Sequence, residues 1–186
     1  PHMTEVVARS GAGLVLMHMR GTPATMQDDP LYDDVVREVG QFLRQRRHVA
    51  TNAGVGDEAI ALDPGIGFGK KAEHSLSLLA ATRTLAALGR PLLVGASRKS
   101  FLARLTGDEA PADRTAASLG AAAIAAFEGA RILRVHDVAA TVRVARVADA
   151  GRAAQPRSAR RDRPRSGPGP PVGATYRAAN ANHGPP

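Results

Sequence analysis

Along the first 150 residues, short runs of leucine, valine and isoleucine alternate with longer stretches in which apolar residues recur every three or four positions. The short runs fit parallel strands and the longer stretches fit amphipathic helices. Their alternation predicts repeated β-then-α units, hence an α/β fold around a parallel sheet. Four strands are expected: GLVLMH (Gly13 to His18), AIALD (Ala59 to Asp63), LLVGA (Leu92 to Ala96) and RILRV (Arg131 to Val135). Since these runs are almost continuously apolar, all four strands are expected to be buried on both faces.

A helix is expected over Met3 to Ser10 and another from about Pro30 to Asn52. In the second, Val35, Val39, Phe42 and Val49 share one face, while Asp33, Asp34, Arg37, Arg44 and Arg47 take the other. The acids precede the arginines, as the helix dipole favours. Further helices are expected over His74 to Leu88 with Gly89 as C-cap, over Lys99 to Leu105, over Asp113 to Glu128, and from Asp137 or Val138 to about Ala150. The run AASLGAAAIAAFEGA is small enough in its side chains to lie close against a sheet.

The pattern stops near Gly151. The 36 residues from 151 to 186 hold seven prolines, five glycines and seven arginines, with Asp162 as their single acid. So little aliphatic bulk cannot offset chain entropy, so residues 151–186 are expected to form a disordered tail behind one folded unit, residues 1–150. The net charge of +8 divides accordingly, +6 in the tail and +2 in the body. The basic excess therefore sits in a Pro-rich end with one aromatic, Tyr176, and nucleic acid is not an expected partner. With no cysteine, disulfide frameworks and thiolate zinc sites are excluded. The longest apolar run, Ala121 to Phe127, is too short to span a membrane, and the amino end lacks the order of a signal peptide. A soluble, cytoplasmic body with no membrane partner is expected.

Parallel sheets, closed or open, hold ligands at the carboxyl ends of their strands. Those ends read MHMRGTP, DPGIGFGK, GASRKSF and RVHD, so Asp63, Ser97, Arg98, Lys99, Arg134 and His136 gather at one edge. The glycine run imitates a nucleotide loop without meeting its requirements. A phosphate loop needs glycine where Pro64 stands and Ser or Thr where Lys71 stands, and a dinucleotide fingerprint needs glycine at Lys70. What remains is a carboxylate, Asp63, among residues small enough to admit a flat ligand, with Phe68 as a stacking surface. Asp63 suits adjacent N–H donors on a guanidine-like ring edge, and equally an Asx turn in Asp-Pro-Gly.

GASRKSF offers hydrogen-bonding and cationic side chains to an anion or carbonyl, and matches neither a Ser-x-x-Lys nor a Gly-x-Ser-x-Gly nucleophile pattern. Arg98 and Lys99 stand at a helix start, where the dipole opposes cations, which favours a functional role. Arg134 and His136 alternate along a strand end, fall on one side and are suited to a pyrophosphate. His18 has no acidic or histidine partner at metal-ligand spacing and is expected to pack or hydrogen-bond at a strand end.

LMHMRGTPATMQ, LDPGIGFGK, LVGASRKSF and RILRVHDV, in that order and spacing, closely resemble the dihydropteroate synthase family of pterin-binding barrels, over residues 1 to about 150. The resemblance implies a TIM (β/α)8 barrel of which this chain carries the second half, about four βα units. It implies condensation of 4-aminobenzoate with 6-hydroxymethyl-7,8-dihydropterin pyrophosphate in folate biosynthesis, releasing pyrophosphate without a protein nucleophile. It implies catalytic roles for Asp63, Lys99, Arg134 and His136. Asp63 would bind the aminopyrimidinone edge, Lys99 the ring and Arg134 its face, with Met17 and Gly95 lining the pocket. Phe68, Ser97, Arg98 and Lys99 would border the aminobenzoate, and Arg134, His136 and Ser100 the pyrophosphate. It further implies sensitivity to sulfonamides, a homodimer at full length, and a magnesium ion (Mg2+) whose protein ligand lies in the first half rather than in this segment.

Two other readings stay open. One is a related pterin-binding barrel that transfers methyl groups from a methylated folate; the other is a fragment or paralogue that binds pterin without turnover. SRKS and RVHD favour the synthase over the methyltransferase, which has no pyrophosphate to hold. Half a barrel would also leave unpaired strand edges on the GLVLMH and RILRV sides.

Overall fold

A computed structural model of the chain describes residues 3–26 and 28–156. Its strands are β1 (Leu14–Met17), β2 (Ile60–Asp63), β3 (Leu93–Val94) and β4 (Ile132–Leu133). Its helices are α1 (Met3–Ser10), α2 (Val35–Asn52), α3 (Ala72–Ala80), α4 (Thr82–Ala86), α5 (Ser100–Thr106), α6 (Thr115–Phe127) and α7 (Val138–Ala154). The strands fall where the apolar runs place them, shortened to their central residues. Parallel pairing of β1 with β2 and of β3 with β4, joined by a parallel bridge from Leu62 to Leu92, sets the strands side by side in chain order. The array is open, and no closed barrel forms among the described residues.

The expectation of strands buried on both faces holds for β2 and β3 and fails for the outer strands β1 and β4. Register places Val15, Met17, Ala61, Asp63, Leu93 and Ile132 on one face, because paired residues point the same way and neighbours along a strand point oppositely. The other face carries Ile60, Leu62, Leu92 and Val94, which pack with Val39, Leu43, Leu78 and Leu85 of the helices into one hydrophobic core. Leu43, Leu62 and Leu78 are fully buried, each contributing roughly 1.5–3 kcal/mol. Ala61 and Leu93 are buried but lie outside that core, and Val15 and Ile132, on the two outer strands, stay 49% and 38% exposed. The core helices pack on one face, and the other carries the buried Asp63 carboxylate.

Asp34, expected inside the second helix, instead caps it, accepting the Arg37 N–H at 3.0 Å, and the helix starts at Val35. The single helix expected over His74 to Leu88 is two, broken at Ala81. There the buried Thr82 hydroxyl donates to the Leu79 carbonyl at 2.7 Å. α7 runs to Ala154, so the first four residues of the tail expected over 151–186 are helical; its residues 157–186 lie outside the described residues.

At the amino ends of the strands, Arg47 clasps both oxygens of Asp57 at 2.6 Å and Arg90 adds a contact at 3.2 Å. The Arg47 guanidinium holds the Asp57 carboxyl below the usual carboxylate range. This cluster fastens α2 to the approaches of β2 and β3 and leaves the opposite edge for chemistry.

Candidate active site

β2 ends in Asp63, which is 3% exposed. Its Oδ1 accepts the Gly65 N–H at 2.7 Å, so the Asx turn suggested by Asp-Pro-Gly is formed. Burial raises the Asp63 pKa, opposed by that N–H and by the charges of Arg134, Lys70 and Lys99. A turn residue needs no such surroundings: the turn orients a carboxylate that is scarcely solvated and faced by three cations.

The glycines after Asp63 meet protein before ligand. Gly65 and Gly69 have φ of +66° and +61°, and a Cβ would lie 1.8 Å from the His18 carbonyl oxygen at the first and 2.4 Å from that of Arg20 at the second. Their absent side chains admit the segment leaving β1, whereas Gly67 faces the side chain of Lys99. The Tyr32 hydroxyl donates to the Gly69 carbonyl at 2.7 Å, and Arg20 lies 4.4 Å from the Tyr32 ring centre. Two strand-end loops are thereby locked together.

Lys70 completes the lock. Only 4% exposed, its ammonium reaches the Phe68 carbonyl at 2.9 Å, His18 Nδ1 at 3.0 Å and the His18 carbonyl at 3.4 Å. With Lys70 charged, three acceptors match its three protons, and His18 is then neutral with its proton on Nε2. Burial lowers Lys70 to about 7, helped by the Lys99 and Arg20 charges and opposed by Asp63. His18 falls to about 4, first through burial and then through Lys70. The His18 ring also packs edge-on against Phe42 at 4.8 Å, so it packs and hydrogen-bonds as expected.

From β3, Gly95 lies beneath the Arg134 guanidinium: a Cβ would stand 3.1 Å from its Nε and 3.2 Å from its Nη2. Lys99 Nζ sits 3.8 Å from the Phe68 ring centre, and burial followed by the Arg134 charge lowers its pKa. The buried Ser97 hydroxyl is 3.0 Å from His136 Nδ1 and accepts the His136 backbone N–H at 3.3 Å. Arg98 turns aside, with its Nη2 3.1 Å from both oxygens of Asp137. Ser100, exposed at the start of α5, lines a cleft of about 320 Å³ with Gly67, Lys70, Lys71, Ser75 and Arg104.

Of the expected site residues, the structure brings Asp63, Phe68, Gly95, Lys99 and Arg134 into one neighbourhood, with Met17 beside Asp63 in register. Ser97 and His136 form a pair beside it, and Arg98 is committed to Asp137. Lys70 and Tyr32 were not foreseen. Lys70 is visible in sequence only as the end of a failed phosphate loop, and its partner His18 is 52 positions away. Among the described residues no group of three His, Asp or Glu side chains gathers to hold a metal ion. Chemically, the edge can accept N–H donors at Asp63, lay a planar cation over a flat ring, and offset anionic charge with Lys99 and Arg134.

Comparison with known proteins agrees with this arrangement. The profile of the family described as "Pterin binding enzyme" matches residues 1–136. The dihydropteroate synthase of Escherichia coli K12 is 45% identical over 150 residues, covering 81% of this chain and 53% of the relative. The crystal structure of the Yersinia pestis dihydropteroate synthase with a sulfonamide drug complex superimposes with a TM-score of 0.80 at 40% identity, covering 83% of this chain and 56% of that one. The Xanthomonas albilineans dihydropteroate synthase with 4-aminobenzoic acid gives 0.76 at 45% identity, covering 84% and 55%. The chain spans about half the length of the curated relatives it matches. On sequence and fold alike, the chain belongs to the pterin-binding enzyme family.

Proposed function

We propose that the chain is the second half of a cytoplasmic dihydropteroate synthase barrel, joining 4-aminobenzoate to 6-hydroxymethyl-7,8-dihydropterin pyrophosphate in folate biosynthesis. The observation that carries this reading is the Asp63 carboxylate, buried, held by the Gly65 N–H and faced by Arg134, Lys70 and Lys99. A buried carboxylate rewards N–H donors strongly, and the pterin edge presents adjacent donors in its amino group and ring nitrogen. The Arg134 guanidinium over Gly95 supplies a flat cation for the ring face.

The arylamine nitrogen attacks the pterin methylene, the methylene C–O bond breaks, and its electron pair leaves with pyrophosphate. The new ammonium then passes its extra proton to solvent. Positive charge builds on the pterin as the bond breaks, and Asp63 stabilises it. Lys99, Arg134 and His136 offset the departing anion, and Phe68 flanks the aminobenzoate ring. Positioning and electrostatics supply the rate. Magnesium belongs to the proposal as a companion of the pyrophosphate; since the described residues form no ligand set for it, no step above runs through it. The cations at the β3 and β4 ends favour the synthase over a methyl-transferring relative, which releases no pyrophosphate.

The proposal includes a homodimer through α6 and α7. It is supported by an apolar groove of about 590 Å³ lined by Ile124, Phe127, Val144 and Val147, with Val147 74% exposed. Mixing the chain with a separately produced first half-barrel and following labelled 4-aminobenzoate tests the assignment. Formation of dihydropteroate supports it, and no product from two folded halves refutes it.

A further inference from the structure

Among the described residues, Arg98 and Asp29 are the two non-glycine residues with positive φ, at +57° and +45°. Arg98 is the third residue of a tight turn closed by the Lys99 N–H to the Ala96 carbonyl at 3.3 Å, where positive φ ordinarily calls for glycine. A long side chain there is disfavoured, and it persists only where its surroundings over-determine it.

Those surroundings come from helices behind the site. The Arg98 N–H donates to the buried Ser118 Oγ at 2.8 Å, and that hydroxyl donates onward to the Arg114 carbonyl at 2.6 Å. The Arg98 carbonyl accepts Arg114 Nη1 at 3.1 Å. Arg114 is itself anchored, with Nε on the Asp108 carbonyl at 2.9 Å and Nη2 on that of Glu109. Arg98 Nη2 is tied to Asp137, while its Nε is buried without a partner, so the side chain accepts a loss to stay there. None of Ser118, Arg114 and Asp137 lies among the groups facing Asp63.

We infer that Ser118 and Arg114 are positioning residues: by holding both backbone polar groups of Arg98 in the left-handed turn, they aim Lys99 onto the Phe68 ring and toward Asp63. The turn ends the course of β3 and starts α5 two residues later, which brings Lys99 back over Phe68. The placement stands on geometry alone; its consequence for catalysis rests on the synthase reading.

The test uses the full chain with labelled lysine. Threonine and valine at position 118 have nearly equal volume, but only threonine keeps the hydroxyl, and Ser118→Ala removes it without adding volume. Lys99 ε-methylene protons over the Phe68 ring are expected at high field, identified by their loss in Phe68→Leu. Ser118→Thr should keep that signal, whereas Ser118→Val and Ser118→Ala, still folded by circular dichroism, should lose it. Retention of the signal in both hydroxyl-free variants would overturn the inference. In the reconstituted enzyme the same two should lower kcat/KM for 4-aminobenzoate about tenfold or more, with Ser118→Thr near the parent. A parent without turnover would sink the synthase reading alone, because the spectroscopic comparison needs no reaction.

Discussion

Lys70 Nζ lies 3.0 Å from His18 Nδ1, and this buried contact joins the loops that leave β1 and β2. Lys70 titrates near 7 when folded against 10.5 ordinarily. Between those values the unfolded chain holds a proton that the folded one has released, so stability rises with pH across that window. Lys70→Met should abolish the rise attributable to this group, as read from urea unfolding at a series of pH values. An unchanged slope would show that Lys70 is not buried in this way.

The same variant bears on His18, held near 4 chiefly by burial and secondarily by Lys70. Removing the cation should raise the His18 pKa without restoring its ordinary value, because burial remains. Proton NMR titration of the imidazole reads this directly, and a pKa that stays put would contradict the contact.

Gly65 and Gly95 should respond differently to alanine. At Gly65 the new Cβ would lie 1.8 Å from a backbone oxygen at positive φ, so Gly65→Ala should cost about 3 kcal/mol or more, or prevent folding. At Gly95 the nearest atoms belong to the long Arg134 side chain, at 3.1 and 3.2 Å. Gly95→Ala should therefore leave the melting temperature within a few degrees of the parent while weakening pterin binding about tenfold, as Arg134 is displaced. Equal thermal losses in the two variants would contradict the geometry.

The α6–α7 groove yields a prediction about assembly. Val147→Asp places a charge on its exposed rim and should convert a dimer to a monomer, measured by sedimentation equilibrium. If the enzyme reconstituted with its first half is already monomeric before the substitution, the proposed interface fails.

The strand positions and the candidate edge were legible because periodicity is local: AIALD ends in Asp63 whatever surrounds it, and parallel strands present their carboxyl ends together. The division of each strand into a core face and a site face was not legible, since Leu62 and Ala61 are both apolar and only their neighbours distinguish them. Nor was Lys70, whose partner is remote in sequence, or Arg98, whose left-handed turn depends on Ser118 in α6. The glycines of LDPGIGFGK announced close approach correctly, but at Gly65 and Gly69 the approaching group is the backbone of residues 18–20 rather than a ligand.

Asp63→Ala in the reconstituted enzyme tests the central claim most directly, with dihydropterin pyrophosphate binding and labelled aminobenzoate incorporation measured side by side. The account predicts an unchanged circular dichroism spectrum, pterin affinity reduced about a hundredfold or more, and product formation lost. Parent-like pterin affinity in a folded Asp63→Ala protein would contradict it.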